Sequence, residues 1–163
     1  MKTIIATADA PPALGPYAQG VKVGDTIYIS GQLPLDPRTR QIVPGNIAAQ
    51  TERVLLNIQA ILEEGGGQLE DVVKITIYVR DLEHFDTINK IYSMFFPCDE
   101  PVQDDEEEND DGSISFFHIG DQKQCLPPAR STVEVSRLPR DAGIEMDAIA
   151  VISRGGYTDP EAY

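Results

Sequence analysis

The chain has 163 residues, 41% of them hydrophobic, which is enough for one domain with a real core, and no run approaches the ~20 apolar residues that span a bilayer. Its formal net charge is −14, from 27 acidic and 13 basic residues, and that balance argues against general binding to the phosphates of DNA or RNA. The opening "MKTIIATADAPPALG" breaks at Asp9 and two prolines before a secretory core could form, so the sequence reads as soluble and cytoplasmic.

"KTIIAT" (2–7) and "VKV" (21–23) read as short strands around the loop "ADAPPALGPYAQG". A "GD" turn leads into "TIYISGQLPL" (26–35), a β-branched and aromatic run interrupted by Gly31. After the loop "DPRTRQIVPG", Asn46 is placed to cap a helix from Ile47 to about Glu64. Val54, Leu55, Ile58, Ile61 and Leu62 form its apolar stripe, and the glycines at 65–67 stop it. "VVKITIYV" (72–79) is the clearest strand, with Val73, Ile75, Ile77 and Val79 as the set that suits a covering helix. Asp81 caps a second helix that aligns Leu82, Phe85, Ile88, Ile91 or Tyr92, and Phe95 on one face.

Residues 97–128 then hold ten acids against Lys123 alone, carrying −9 of the −14. This composition favours a solvated charge run, although "SISFFHIG" (113–120) has enough β-formers to fold back as an added strand. Cys98 and Cys125 sit near the two ends, and two free thiols are favoured over a disulfide. No CxxC or HExxH spacing occurs, and the isolated His84 and His118 do not make a site, so no metal is expected. Two strands close the chain, "ARSTVEV" (129–135) and "IEMDAIAVIS" (144–153), read as a hairpin turning near Pro139–Arg140.

Six strands and two helices in this order describe an α+β single domain over 1–163, a sheet with both helices on one face and a short tail at 154–163. Ile149 and Val151 share a face with Glu145 and Asp147, opposite Met146, Ala148 and Ala150. With apolar residues on both faces of the last strand, the second face is expected to be buried by another subunit.

Arg130 opens the strand after the Pro-Pro pair. Its guanidinium is either a solvated edge charge or a fork held ready for a carboxylate. Glu145 could be a general base, though an exposed strand-end glutamate is commoner. Tyr17 in "GPYAQG" could reach a ligand or simply plug a cleft. Gly31 in "SGQ" leaves backbone N–H groups approachable, or marks a plain β-bulge. In the hairpin register Arg130 faces Ile149 and Glu145 faces Glu134, ~13 Å apart along the ladder. That is too far for one small molecule, so cooperation between them requires a site between subunits.

"GPYAQG", "YISGQLPLDP", "NIQAILEEGG", "VVKITIYVRDLEHFDTIN" and "PARSTVEVSRLPRDAGIEMDAIAV" resemble the RidA/YjgF family, in order and over nearly the whole chain except 97–126 and the last few residues. The resemblance implies a homotrimer of chorismate-mutase-like subunits, each a six-stranded mixed sheet with two helices, with clefts at the interfaces. It implies hydrolysis of reactive 2-imino acids, or their 2-aminoacrylate-type enamines, to 2-keto acids and ammonia, without a cofactor. The family's carboxylate-binding arginine falls on Arg130, its water-orienting glutamate on Glu145 and its cleft tyrosine on Tyr17. Its backbone contact falls on Gly31 with Ser30 beside it, and the asparagine of its second helix on Asn89. Many relatives carry a cysteine where this chain has Thr132, which excludes a thiol nucleophile there. The stretch between "FF" (95–96) and "PARS" is longer than in relatives by roughly two dozen residues, an exceptional loop length. A non-catalytic chaperone, a small-metabolite-binding trimer, or a sibling hydrolase of another small substrate are the alternatives.

Overall fold

A computed structural model describes residues 1–97 and 127–152. The acidic insertion with its two cysteines and the 113–120 stretch, and the tail after Ile152, lie outside the described residues. The elements run β1 (Lys2–Ile5), β2 (Gly20–Val23), β3 (Thr26–Gln32), α1 (Ile47–Glu64), β4 (Val72–Val79), α2 (Phe85–Phe95), β5 (Ala129–Glu134) and β6 (Ile144–Val151). They form one six-stranded sheet in the order β1-β2-β3-β6-β4-β5. The sheet is mixed: β5 runs parallel to β4, and the other pairs are antiparallel.

The Asn46 side chain caps α1, its Oδ1 accepting from Ala48 N at 3.1 Å and Ala49 N at 3.3 Å. Val54, Leu55, Ile58, Ile61 and Leu62 are all fully buried. Each contributes about 1.5–3 kcal/mol relative to exposure. Gly65 ends the helix where it passes over the sheet, and a Cβ there would stand 2.7 Å from the end methyls of both Ile5 and Ile27. The helix packs on β6 over Ala148 and Ala150, small side chains that let it lie close. Both helices cover the sheet face that carries Ile27, Ile29, Ile75, Ile77, Val79 and Met146.

Three expectations are corrected. Residues 129–135 and 144–153 do not pair as a hairpin: β5 and β6 lie on opposite sides of β4, with Arg130 beside Ile75 and Glu145 beside Tyr78. The connection between them turns through Pro139–Asp141, where Arg140 and Asp141 take φ of 57° and 56°, and carries the chain across to the far side of β4. Val73 is 46% exposed, because the register of β4 on β6 slips between Val72 and Lys74 and Val72 takes the buried place instead. Asp81 caps not α2 itself but a short 3-10 turn, Leu82–His84, its Oδ1 accepting from Glu83 N at 2.9 Å.

The second face of the sheet is open and apolar, with Ile4, Val23, Tyr28, Val133 and Val151 each more than 40% exposed. Tyr78 packs there into a small cluster of Leu33, Leu35, Leu138 and Ala142. Among the described residues no helix is long and apolar enough to cross a membrane.

Candidate functional site

Arg130 stands on the edge strand β5 and, being the direct partner of buried Ile75, points to the helix side. There α2 presents Phe85, Asn89 and Tyr92, spaced four and three apart and hence on one face. The guanidinium carbon lies 5.5 Å from the Phe85 ring centroid and 4.9 Å from that of Tyr92. Two ring faces therefore hold the cation by their π-electrons. Phe85 stays 40% exposed although apolar, consistent with its place against the guanidinium. Among the described residues no carboxylate is ion-paired with Arg130; the two ion pairs present are Arg38–Asp36 and Arg137–Asp141.

Three buried oxygens in the same region also lack hydrogen-bond partners among the described residues: Asn89 Oδ1, Tyr92 OH and Thr132 Oγ1. Leaving such an atom unsatisfied costs about 1–3 kcal/mol. Burial pushes the Tyr92 hydroxyl up to about 12, against the opposing pull of the Arg130 charge. Tyr92 is therefore a neutral hydroxyl near pH 7, able to donate or accept but not to serve as a base.

Glu145 occupies the other face, near the start of β6 and half-buried beside Tyr78. Burial raises its carboxyl above the ordinary glutamate range, and the Asp147 charge adds to that rise. Its carboxylate lies over Gly31, where a Cβ would collide with Glu145 Oε1. The pairing of β3 with β6 shifts register between Ile29 and Gln32, so Gly31 sits in an irregularity and also clears space for a side chain.

The loop before β2 is pinned to this corner. Ser30 donates through its backbone N to Gln19 O at 3.0 Å and through Oγ to Ala18 O at 2.7 Å. Gln19 is buried; its Oε1 accepts from Thr7 N at 2.7 Å, and its Nε2 reaches Ala10 O at 3.1 Å and Pro11 O at 2.7 Å. Tyr17 projects beyond it, 49% exposed, its hydroxyl accepting from Leu14 N at 3.0 Å. Tyr17 and Gly31 line one open groove with Leu14, Gln32 and Leu33.

The seven residues singled out in the sequence thus fall into two groups. Arg130, Asn89 and Thr132 gather under α2, while Glu145, Gly31, Ser30 and Tyr17 gather at the β3–β6 corner. Two strand spacings and three residues of register separate Arg130 from Glu145, ~14 Å, with the sheet between them. No one chain brings the groups together. Sequence reasoning missed Gln19, Phe85, Tyr92 and Asp147. Of these, Gln19 lay inside the "GPYAQG" motif, and Phe85 and Tyr92 lay on the apolar stripe of α2, where they read simply as core. Among the described residues no group of three or more His, Cys, Asp or Glu could hold a metal ion.

The family model for endoribonuclease L-PSP matches residues 7–152. The chain belongs to this family, which is the YjgF/RidA family. It is 46% identical over 149 residues to a RutC family protein of Pyrococcus abyssi, covering 91% of this chain and 96% of that one. It is 42% identical over 151 residues to the 2-iminobutanoate/2-iminopropanoate deaminase of Escherichia coli K12, covering 93% and 98%. Among solved structures, Escherichia coli TdcF with bound serine superposes with a TM-score of 0.72 at 36% identity, covering 93% of this chain and 99% of the other. The likeness spans the described residues and establishes an α+β fold of the YjgF/RidA type.

Proposed function

We propose that this protein is a cytoplasmic, cofactor-independent hydrolase that converts 2-imino acids and their enamine tautomers to 2-keto acids and ammonia. The observation that carries the reading is the guanidinium of Arg130, stacked against two rings and ion-paired with no described carboxylate, in a chain 42% identical to an imine deaminase. A planar cation held rigidly by aromatic faces accepts a carboxylate through paired N–H donors. The imino carbon next to that carboxylate is then fixed in orientation.

Glu145 is the base. Its desolvated carboxylate, raised above the ordinary range, takes a proton from water as the oxygen adds to the C=N carbon. It hands that proton to the nitrogen to give the neutral carbinolamine, then takes the proton of the added hydroxyl and passes it to the nitrogen as the C–N bond breaks, leaving ketone, ammonia and the carboxylate as it began. The imine is electrophilic already, so the step draws on no other group. Gly31 offers its backbone N–H to the carboxylate, with Ser30 beside it. Tyr17 closes the groove, and Asn89 and Thr132 present their unpartnered oxygens to the polar end of the substrate. Because Arg130 and Glu145 lie on opposite faces of one sheet, the site is assembled between copies of the chain, in a homotrimer whose contacts cover the open apolar face.

The description attached to the matching family model names an endoribonuclease. A net charge of −14 disfavours holding a phosphate backbone. The deciding experiment generates imino acid in situ with an amino-acid oxidase and follows keto-acid release by wild type, Arg130→Ala and Glu145→Gln. Both variants are expected to lose the acceleration over the spontaneous reaction. Release at the wild-type rate by Arg130→Ala would refute the assignment.

A further inference from the structure

Asp147 lies two residues along β6 from Glu145, so both carboxylates stand on one face, ~6.6 Å apart along the strand. Its place is held from the neighbouring strand. The Tyr78 hydroxyl donates to Asp147 Oδ2 at 3.0 Å, and Tyr78 is itself the direct cross-strand partner of Glu145. The partly buried tyrosine packs against the cluster of Leu33, Leu35, Leu138 and Ala142. The hydrogen bond to Asp147 raises the Tyr78 hydroxyl above its ordinary value, and it keeps its proton at any physiological pH.

Among the described residues of one chain, the elements beside Glu145 bring these other titratable groups. From β4, the Lys74 ammonium is turned to Ser131 Oγ at 2.7 Å. From β3 comes Gly31, with no charge, and from the loop before β2 comes Tyr17, held on Leu14 N. The β5–β6 connection brings Arg137, paired to Asp141 at 3.2 Å, and the exposed Arg140. Arg130 of the same chain is on the opposite face; in the site assembled between copies, a neighbouring copy's Arg130 faces Glu145 and opposes the rise, equally in wild type and in the variants compared below.

We infer that Asp147, moored by Tyr78, is a positioning residue for Glu145, a fixed negative charge that makes this glutamate a stronger acceptor of the proton of water. The inference rests on Glu145 being the base. Two like charges on a half-desolvated face favour the protonated form of one of them. The geometry divides the roles: Asp147 is engaged by the Tyr78 hydroxyl, whereas Glu145, with Gly31 beneath it, faces the groove where water arrives. Burial acts on Glu145 in the same direction and more strongly.

The test is the pH dependence of kcat/KM for wild type, Asp147→Asn and Tyr78→Phe, with Glu145→Gln as reference. Asp147→Asn removes the charge and keeps the shape, so the acid limb of its profile is expected at lower pH than in wild type; an unmoved limb overturns the inference. Tyr78→Phe keeps the charge but frees it, and a smaller displacement in the same direction is expected. A displacement as large as that of Asp147→Asn would assign the effect to the hydroxyl and overturn the role given to the carboxylate. Should Asp147→Asn fail to assemble, Asp147→Ser is measured in its place. A Glu145→Gln variant with wild-type activity fails the base assignment itself, whereas an inactive one beside an unmoved Asp147→Asn limb fails this inference alone.

Discussion

Gly31→Ala adds one methyl group at the point where two strands and a carboxylate meet. The new Cβ collides with Glu145 Oε1 and stands 3.0 Å from Cδ and 3.3 Å from Cγ. Gly31 does not have a positive φ, so alanine fits the backbone. The chain loses less entropy on folding, a gain of about 0.4–1 kcal/mol. Against that, the displaced glutamate sits off its rotamer at a cost of roughly 0.5–1.5 kcal/mol. The two nearly cancel, and the urea-unfolding free energy is expected to change by no more than about 1 kcal/mol. Position is what changes. Ordinary carbon contacts lie at ~3.5 Å or more, so Cδ must retreat by ~0.5 Å and Oε1 by at least ~1 Å. A misplacement of ~1 Å at a reacting group costs on the order of 10²-fold. The expected result in the oxidase-coupled assay is therefore a kcat/KM for 2-iminobutanoate about 10²-fold down in a chain of nearly unchanged stability. In the Glu145→Gln background the same methyl should add little, because the two changes act through one group. A Gly31→Ala variant at the wild-type rate would refute the reasoning, as would a further full loss in the Glu145→Gln background.

Arg130→Lys keeps the positive charge and discards the fork, so it is expected to fall nearly as far as Arg130→Ala in the same assay; near-wild-type kcat/KM would mean that a point charge suffices there. Glu145→Gln makes a prediction of opposite sign on stability. Burial and the Asp147 charge raise the folded-state carboxyl above the ordinary glutamate range, so ionising it disfavours folding, and this penalty grows as pH rises from the unfolded value through the folded one. The inactive variant should therefore unfold at a higher temperature than wild type at pH 7 and show no such gain below the ordinary glutamate range. Thermal scans at both pH values check it, and a variant less stable at pH 7 than at pH 3 relative to wild type contradicts it.

The local part of the fold was legible because side-chain period and capping chemistry act over short range. The α1 stripe, the Asn46 cap and the alternation of Ile75, Ile77 and Val79 all stand where the sequence places them. Pairing was harder. "ARSTVEV" and "IEMDAIAV", eight residues apart, look like the arms of a hairpin. Yet "VVKITIYV", a helix and "ARSTVEV" also form a strand–helix–strand unit, and that pattern favours parallel pairing. The structure takes the second option and leaves β6 to fill the place between β3 and β4. A slip of one residue at Val72–Lys74 exchanged Val73 for Val72 in the core, and no composition signal marks such a bulge. Burial of polar side chains escaped the reading too. Asn57 looks like any helix asparagine, but it is fully buried and donates to Leu33 O at 3.1 Å and Leu35 O at 3.0 Å, tying α1 to the segment just after Gly31.

On the proposed mechanism, the correction to the pairing changes why a site would take two copies. In the hairpin reading, distance along one ladder kept Arg130 from Glu145. In the structure a whole sheet stands between them, one residue under α2 and the other on the open face. Distance could be closed by a long substrate, but a sheet cannot. This yields a count that an experiment can read. If each site takes its arginine from one protomer and its glutamate from another, then denaturing and reassembling equal amounts of Arg130→Ala and Glu145→Gln chains restores intact sites. A site is whole only when its arginine side comes from a Glu145→Gln chain and its glutamate side from an Arg130→Ala chain. Each has even odds, so roughly one site in four regains the native pair under random mixing, whatever the symmetry of the ring. Specific activity should rise from the background of either parent to about a quarter of the wild-type value, and co-refolding with excess of either variant should lower it again. If both residues served one site from the same chain, every site in the mixture would lack one of them, and the activity would stay at background at every ratio.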